Sequence, residues 1–225
     1  MVYRRLCLPA LLLAMACSTA KSSVVYTYDF PGNPGSGLAA DQTNPQFPNA
    51  TFGDWARVNV SAGPAANSFD STFWNTTSSF DPTQYVSFSI TADAGYHLNL
   101  SLLTFDEMRT SGGPTKGHVE MFLDGSAAPY AVMNYNPHSS IHSETFNFTP
   151  TTDADNVGTV EFRFYGWNGG TPEASLILAN VAVTLSIVPE PSTVLFALLP
   201  IGIALFSLAQ GWRRKRKSSV ARNRF

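Results

Sequence analysis

Short segments in which apolar and polar side chains alternate recur along most of this chain, and they constrain its fold more than any other feature. Successive side chains of a β-strand point to opposite sides of the sheet, so alternation predicts a strand with one buried face. Nine such segments occur, separated by turns rich in glycine, proline and asparagine. They are residues 24–30, 55–60, 85–91, 97–105, 118–123, 130–135, 143–148, 159–165 and 175–187.

Because no amphipathic stretch of ten residues accompanies these segments, the sequence predicts an all-β fold, an antiparallel β-sandwich of jelly-roll type. Its core should consist of the apolar residues on the period-two faces, and burying each large one stabilises the fold by roughly 1.5–3 kcal/mol. These residues are Phe88, Ile90, Leu98, Leu100, Phe122, Phe146, Phe148, Phe162, Phe164, Val181, Val183 and Leu185.

Some stretches depart from the alternation. Leu102 and Leu103 break its phase and predict a bulge, and Asn180 predicts a bend in the last strand. Residues 31–50 and 61–82 are expected to be loops. The second loop should be anchored on the sheet by its aromatic side chains, which are Phe69, Phe73, Trp74 and Phe80.

Residues 1–20 have the organisation of a secretory signal peptide. Arg4 and Arg5 form its basic start, residues 6–16 form its apolar core, and small residues favour cleavage after Ala20. Cleavage after Ala16 and lipidation of Cys17 are the alternatives, although the large aliphatic residue usual three places before a lipidated cysteine is absent.

An uncharged apolar run of 19 residues, 194–212, lies near the end of the chain. A helix of this length is about 28 Å long and can cross a bilayer, so we predict a transmembrane helix. The prolines of the tripeptide Pro189, Glu190 and Pro191 before it should end strand pairing and begin an accessible spacer. The basic cluster after it should hold the tail, residues 218–225, in the cytoplasm; the cluster is Arg213, Arg214, Lys215, Arg216 and Lys217.

The order of tripeptide, apolar run and basic cluster resembles the PEP-CTERM sorting signal of exported bacterial proteins. The resemblance implies that residues 188–217 are a sorting signal, that an exosortase processes the chain near the tripeptide, and that residues 21–187 are the exported domain. The protein would be anchored in the inner membrane before processing, and would then reach the envelope surface or the extracellular matrix. A plain C-terminal anchor with an accidental tripeptide is the alternative.

The exported part is strongly acidic and lacks thiols. All 16 acidic residues lie between Asp29 and Glu190, and only five Lys and Arg residues lie between positions 21 and 190, so this part of the chain has a formal net charge of −11. Such a charge argues against binding to nucleic acid, because neutralising phosphate needs the opposite sign. Cys7 and Cys17 both lie in the signal peptide, so the mature domain should contain no disulfide, zinc–thiolate site or cysteine nucleophile.

The candidate catalytic and metal-binding residues form no recognisable motif. Neither Asp106 with Glu107 nor Asp153 with Asp155 has a spacing that singles out a glycosidase pair, so solvated surface positions are expected. His138 and His142 are four residues apart but follow Asn136 and Pro137, which indicates a loop rather than the helical spacing of a zinc clamp. We therefore predict no catalytic residue and no metal ligand.

The stretch 85–98 and the strand 162–166 also resemble the β-domains of PEP-CTERM proteins and, more loosely, carbohydrate-binding jelly rolls. That second resemblance raises the question of a structural calcium between an early and a late strand. Asp29 and Asn180 lie at such positions, but Ala179 stands where relatives have a carboxylate, and calcium prefers several charged oxygens. No cofactor is therefore predicted, with calcium as the alternative.

Two functions are compatible with the sequence. The first is a non-enzymatic surface or matrix protein, with extracellular polysaccharide as its candidate partner; the second is an exported, divergent glycoside hydrolase or other carbohydrate-active enzyme. Exposed aromatic side chains on one sheet face would favour binding, and a cleft lined by carboxylates would favour hydrolysis. Trp55, Trp74 and Trp167 are the tryptophans that would form a binding surface.

Overall fold

The computed structural model describes residues 23–28, 30, 48–148 and 155–190, and these residues form twelve β-strands. The described ranges contain no helix whose length and apolar character would let it cross a membrane. The strands are β1 (Val24–Tyr28), β2 (Ala50–Phe52), β3 (Ala56–Val58), β4 (Ser61–Ala62), β5 (Phe69–Thr72), β6 (Tyr85–Ala92), β7 (Tyr96–Arg109), β8 (Lys116–Leu123), β9 (Ala131–Tyr135), β10 (His142–Asn147), β11 (Thr159–Trp167) and β12 (Leu176–Pro189).

Several predicted features lie outside the described residues. They are the signal peptide (1–20), the transmembrane helix (194–212), the basic cluster (213–217) and the cytoplasmic tail (218–225). Pro191 of the tripeptide, Asp29 of the calcium alternative and Asp153 of the second acid pair lie outside them as well.

The strands make two antiparallel sheets of six strands each, and their inner faces pack together. The first sheet has the order β10-β7-β12-β5-β4, with β1 also paired to β12. The second has the order β2-β6-β11-β8-β9, with β3 also paired to β6. The predicted all-β, antiparallel fold is confirmed.

Aromatic side chains fill the space between the sheets. The indole of Trp55 is 1% exposed, and its ring centroid lies 4.9 Å from that of Phe69 in the first sheet and 4.8 Å from that of Phe88 in the second. Phe105 of β7 meets Phe164 of β11 edge to face at 5.1 Å. These contacts join the sheets into one core, in which aromatic pairs add about 0.5–1.5 kcal/mol each beyond their buried area.

All twelve predicted core residues are buried, but Phe122 is buried on the opposite side of its sheet. Val119 and Met121 take the inward positions of β8, so Phe122 points outward, where it pairs with Glu161 and lies 4.1 Å beneath the guanidinium of Arg163. The prediction of an inward Phe122 is therefore wrong. The guanidinium of Arg163, and not a side chain of the other sheet, covers its phenyl ring.

Both predicted irregularities occur. In β7, Leu100 pairs with Leu185 and Leu102 with Thr184, so Ser101 is the extra residue, one position from the predicted bulge. In β12 the register shifts between Ala179 and Ala182, and Asn180 has φ of 47°. Asparagine tolerates this left-handed conformation because its short polar side chain can hydrogen-bond nearby.

The region 61–82, predicted as loop, contains β4 and β5. The four residues of β5 are all buried, with Phe69 and Trp74 packed into the core as the anchoring aromatics. Phe80, although 39% exposed, also packs on a sheet, with its ring 4.4 Å from that of His118 in β8. Phe73 differs from the prediction, since it is 50% exposed. The strand was missed because Phe-Asp-Ser-Thr shows no apolar alternation; its burial comes from pairing with Leu176, Ile177 and Leu178 of β12.

The first residue of the predicted sorting tripeptide, Pro189, belongs to the last strand of the sandwich. β12 ends at Pro189, two residues beyond the predicted boundary, with Pro189 opposite Tyr96. The N–H of Glu190 donates to the carbonyl of Gly95 at 2.8 Å, and its carboxylate lies 3.5 Å from Nε2 of His97. The accessible spacer that the prolines predicted therefore does not begin at Pro189 or Glu190.

Candidate functional site

The outward-pointing residues of β6, β11 and β8 form an ordered polar and aromatic surface on the second sheet. Antiparallel register places them in rows across the sheet, because paired residues project to the same side. We call this surface the outer face. Its three rows are Ser89, Glu161 and Phe122; then Ser87, Arg163 and Glu120; then Tyr85, Tyr165 and His118.

Arg163 lies at the centre of the outer face in a fixed orientation. Its Nε and Nη2 donate to the two carboxylate oxygens of Glu161, each at 2.8 Å. Its guanidinium also lies over the rings of Phe122, at 4.1 Å, and Tyr85, at 4.8 Å. The hydrogen bonds to Glu161 raise the pKa of Arg163 above its ordinary value, so the guanidinium stays charged and the face carries a planar cation in a fixed orientation.

A second hydrogen bond orders the next row. The hydroxyl of Tyr165 donates to Glu120 at 2.8 Å. Burial is the largest cause raising the pKa of Tyr165, followed by this bond to Glu120, so the phenol remains a donor throughout the physiological range. Glu120 is thereby held as an acceptor, and the outer face presents oriented polar groups that need little reorganisation to bind.

A shallow cleft of about 290 Å³ opens on the outer face. Its polar lining includes the hydroxyls of Ser87 and Ser89 and the carboxylates of Asp54 and Glu161. Phe122 forms an apolar wall. Its mixed lining suits a ligand that has hydroxyl groups on an apolar ring frame.

An aromatic cluster lies beside the third row. The ring of Phe80 reaches over the sheet to within 4.4 Å of the His118 ring, 5.1 Å of Tyr165 and 5.5 Å of Trp167. Burial lowers the pKa of His118 more than Glu120 raises it, so this imidazole is neutral at pH 7. Phe80 and Trp167 remain partly exposed and form an apolar platform at this end of the outer face.

Only one of the three predicted binding tryptophans lies on this surface. Trp167 ends β11 on the outer face, whereas Trp55 and Trp74 are buried between the sheets. The Nε1–H of Trp74 donates to the carbonyl of Ser71 at 2.7 Å, as expected of a core indole. Phe80, Tyr165 and Arg163 also belong to this surface, although the sequence did not single them out as site residues. For Tyr165 and Arg163, their outward phase in the alternation of β11 was the available signal.

The acid pair Asp106 and Glu107 is divided between two sides of the first sheet. Asp106 points outward into a smaller cleft of about 190 Å³, where it accepts a hydrogen bond from Nδ2 of Asn180 at 2.7 Å and another from Ser143. Glu107 points inward and is 1% exposed, so its predicted solvation is wrong. Adjacent strand residues project oppositely, and the two carboxylates therefore do not act as a pair.

Glu107 lies instead against the two histidines. The loop before β10 turns so that the rings of His138 and His142 lie 3.9 Å apart, with Glu144 next to them. His138 lies in a loop and both histidines are exposed, as predicted. The loop and the start of β10 bring the two rings together without the helical spacing of a zinc clamp. We call Glu107, His138, His142 and Glu144 the histidine edge.

The histidine edge contains a perturbed carboxyl. Burial is the largest cause raising the pKa of Glu107, and its hydrogen bonds with His138 act in the opposite direction. The nearby hydroxyl of Tyr135 is buried and has no hydrogen-bond partner among the described residues. Its pKa is raised by burial first and then by the charges of Glu107 and Glu144.

The chain matches no family model, and it matches no curated protein. Solved structures with partial similarity include CBM4, which is 18% identical with a TM-score of 0.42 over 70% of this chain and 99% of that one. The family 29 carbohydrate-binding module CBM29_1 from Piromyces equi is 11% identical, with a TM-score of 0.40 over 72% and 91%. A cyclase from Fischerella sp. TAU is 14% identical, with a TM-score of 0.38 over 75% and 99%. Similarities this low carry no argument about what the chain does.

Proposed function

We propose that this chain is a non-enzymatic exported protein whose jelly-roll sandwich binds polysaccharide along the outer face. The observation that carries the proposal is the joining of two features on one sheet face. A cleft with hydroxyl and carboxylate groups is lined by Glu161, which holds Arg163. The platform of Phe80 and Trp167 lies farther along the same face, beside the row that contains Tyr165 and His118. A sugar ring presents both surfaces that such a site matches, an apolar face of C–H groups and a rim of hydroxyls.

The orientation of the polar groups supports binding rather than catalysis. Glu161 accepts two hydrogen bonds from Arg163, so both of its carboxylate oxygens are engaged in holding the guanidinium. A glycosidase needs two carboxyls about 5–10 Å apart, one of them protonated. The bidentate pair instead suits recognition, since fixed donors and acceptors bind hydroxyls with a small loss of side-chain entropy.

Charge identifies the class of polysaccharide. The net charge of −11 carried by residues 21–190 repels acidic polymers. On the outer face the cation of Arg163 is neutralised by Glu161, and Asp54 and Glu120 add further acidic groups. A neutral polysaccharide is therefore the partner that we propose.

The destination that we propose for the protein rests on sequence features near its two ends. We propose that residues 1–20 direct export, that residues 194–212 anchor the chain in the inner membrane, and that an exosortase processes it near Pro189, Glu190 and Pro191. Arg213 to Lys217 would retain the tail in the cytoplasm until then. The sandwich would finally lie at the envelope surface or in the extracellular matrix, where polysaccharide is present.

Affinity electrophoresis of the full chain in a non-glycosidic detergent tests the binding function. Neutral β-glucan, xylan and galactomannan should retard the protein, and alginate should not. Trp167→Ala should weaken retardation about tenfold, which corresponds to about 1.4 kcal/mol. Phe73→Ala is the matched control, because this exposed aromatic follows β5 of the first sheet.

Two results would overturn the proposal. One is binding that is unaffected by Trp167→Ala, or absent for every neutral polysaccharide tested. The other is release of reducing sugar that disappears in Glu161→Gln or Asp54→Asn, which would establish the hydrolase alternative.

A further inference from the structure

The histidine edge lies where the first sheet ends in its edge strand, β10. His142 pairs with Glu107 of β7, and Glu144 pairs with Phe105, so both β10 side chains point to the same side as Glu107. On this side of the sheet, the apolar side chains of the core therefore give way to titratable side chains at the edge strand. Nothing in the outer-face binding function uses these residues.

The loop that carries His138 is fixed to the end of β7 by several hydrogen bonds. The N–H of Arg109 donates to the carbonyl of His138 at 2.7 Å, and Nε of Arg109 donates to the carbonyl of Pro137 at 3.0 Å. The N–H of His138 donates to both oxygens of Glu107, at 3.1 and 3.0 Å. The backbone at His138 is therefore positioned before any ligand arrives.

Glu107 also fixes the orientation of the His138 imidazole. Nδ1 of this ring lies 2.7 Å from Oε1 of Glu107. A carboxylate in that position favours the proton on Nδ1 and leaves the lone pair on Nε2. The same carboxylate–histidine arrangement orients metal-binding imidazoles and increases their basicity.

Three potential donor atoms lie close together in the histidine edge. One ligand atom each from His138, His142 and Glu144 lies within 4.8 Å of the others, and Nε2 of His142 is 3.8 Å from Oε1 of Glu144. In a tetrahedral zinc site with bonds of 2.0–2.1 Å, donors lie about 3.3 Å apart. The donors therefore need to move closer by roughly 1.5 Å or less. The side chain of His142 is 49% exposed and has room to make this movement while His138 keeps its contact with Glu107.

We propose that His138, His142 and Glu144 bind one divalent transition-metal ion, with Zn²⁺ as the reference ion and Glu107 as the positioning residue for His138. The donor set of two imidazoles and one carboxylate favours zinc, copper or nickel over calcium or magnesium, which take oxygen ligands. The bound ion links the loop before β10 to the edge strand. Three protein ligands leave one coordination position open to water or to an exogenous ligand.

Metal titration of the chelator-treated full chain in detergent tests this site. Zn²⁺ in equilibrium dialysis should bind with one equivalent more than in the His138→Ala/His142→Ala double variant. This difference matters because Cys7 and Cys17 of the full chain can bind zinc, and the double variant retains both. His97→Ala is the matched control, since His97 also contacts a carboxylate, Glu190, but has no second histidine beside it among the described residues.

The variants separate ligands from the positioning residue. His142→Ala should weaken Zn²⁺ binding at least tenfold, and Glu107→Gln should weaken it about 10- to 100-fold with the stoichiometry kept. With Cu²⁺, electron paramagnetic resonance should show two coupled imidazole nitrogens in the parent protein and in Glu107→Gln, and one in His142→Ala. Because His142 is largely exposed, its replacement should leave near-ultraviolet circular dichroism unchanged.

Equal zinc stoichiometry in the parent protein and the double variant would overturn the proposal. So would a copper spectrum in which the number of coupled nitrogens is the same in the parent and in His142→Ala. Failure of polysaccharide binding would leave the proposal intact, because no residue of the histidine edge lies on the outer face.

Discussion

At the scale of single residues, exposure decides what an aromatic side chain does, and composition alone does not reveal it. Trp55 and Trp167 both stood out in the sequence as binding candidates, yet Trp55 contacts Phe69, Phe88 and Phe164 in the core. Trp55→Ala should destabilise the domain by about 3–5 kcal/mol, through lost burial and the cavity left behind. Urea unfolding measures this change.

The half-exposed Phe73 provides the control for that variant. Phe73→Ala should change the free energy of unfolding by about 0.5 kcal/mol or less, as is usual for surface substitutions. Equal losses for the two variants would mean that the indole of Trp55 does not fill the core.

At the scale of elements, strands that carry their own alternation were predictable, whereas the short strands β2, β4 and β5 were not. β6, β7, β8, β11 and β12 carry their own alternation, so local sequence determines which face is buried. β5 has no such pattern, and its burial depends on pairing with residues more than 100 positions later. The histidine edge was missed for a related reason, because its convergence depends on the pairing of β10 with β7 and on a loop path that spacing does not encode.

The bend in β12 gives a prediction about backbone conformation. Asn180→Ala should cost about 1–2 kcal/mol, since alanine is strained at a φ of 47° and cannot replace the hydrogen bond to Asp106. Asn180→Gly should lose less, because glycine adopts this φ without strain. The shift in urea midpoint at constant m-value measures both variants. Equal losses would indicate that only the side-chain bond matters.

The loop that positions Phe80 gives a prediction about pH. Asp81 accepts hydrogen bonds from the hydroxyl of Thr83 at 2.7 Å and from its N–H at 2.9 Å, which lower the pKa of Asp81 below the ordinary 3.8. Stabilisation by a depressed carboxyl is present above the ordinary pKa and is lost as the pH falls through the lowered one. Polysaccharide retardation should therefore be constant from about pH 7 to 5 and decrease below about pH 4.

Asp81→Asn isolates this contribution, because the amide oxygen can accept the same bonds but does not titrate there. Its retardation should decrease less than that of the parent protein at low pH. An identical decrease in both proteins would assign the effect to other carboxylates of the outer face.

At the scale of the whole molecule, the sorting tripeptide and the sandwich share a residue. Glu190 is the middle residue of the motif, and its N–H also bonds to Gly95 while its carboxylate lies 3.5 Å from His97. Its side chain could therefore matter to the sandwich, to the processing enzyme that we propose, or to both. Two variants separate these roles, since Glu190→Ala removes the carboxylate and His97→Ala removes its partner while keeping the motif.

If an exosortase recognises the motif, Glu190→Ala should leave the full-length form in the membrane, and His97→Ala should be processed at least as fast as the parent. Removing His97 eliminates a contact between its imidazole and the Glu190 carboxylate, so an enzyme would have easier access to that side chain. C-terminal mass analysis of the protein from its native envelope decides the outcome. A mature surface form that ends at Phe225 would show that the tripeptide is only a spacer before an anchor. Equal retention of both variants would show that Glu190 acts through its contact with the sandwich.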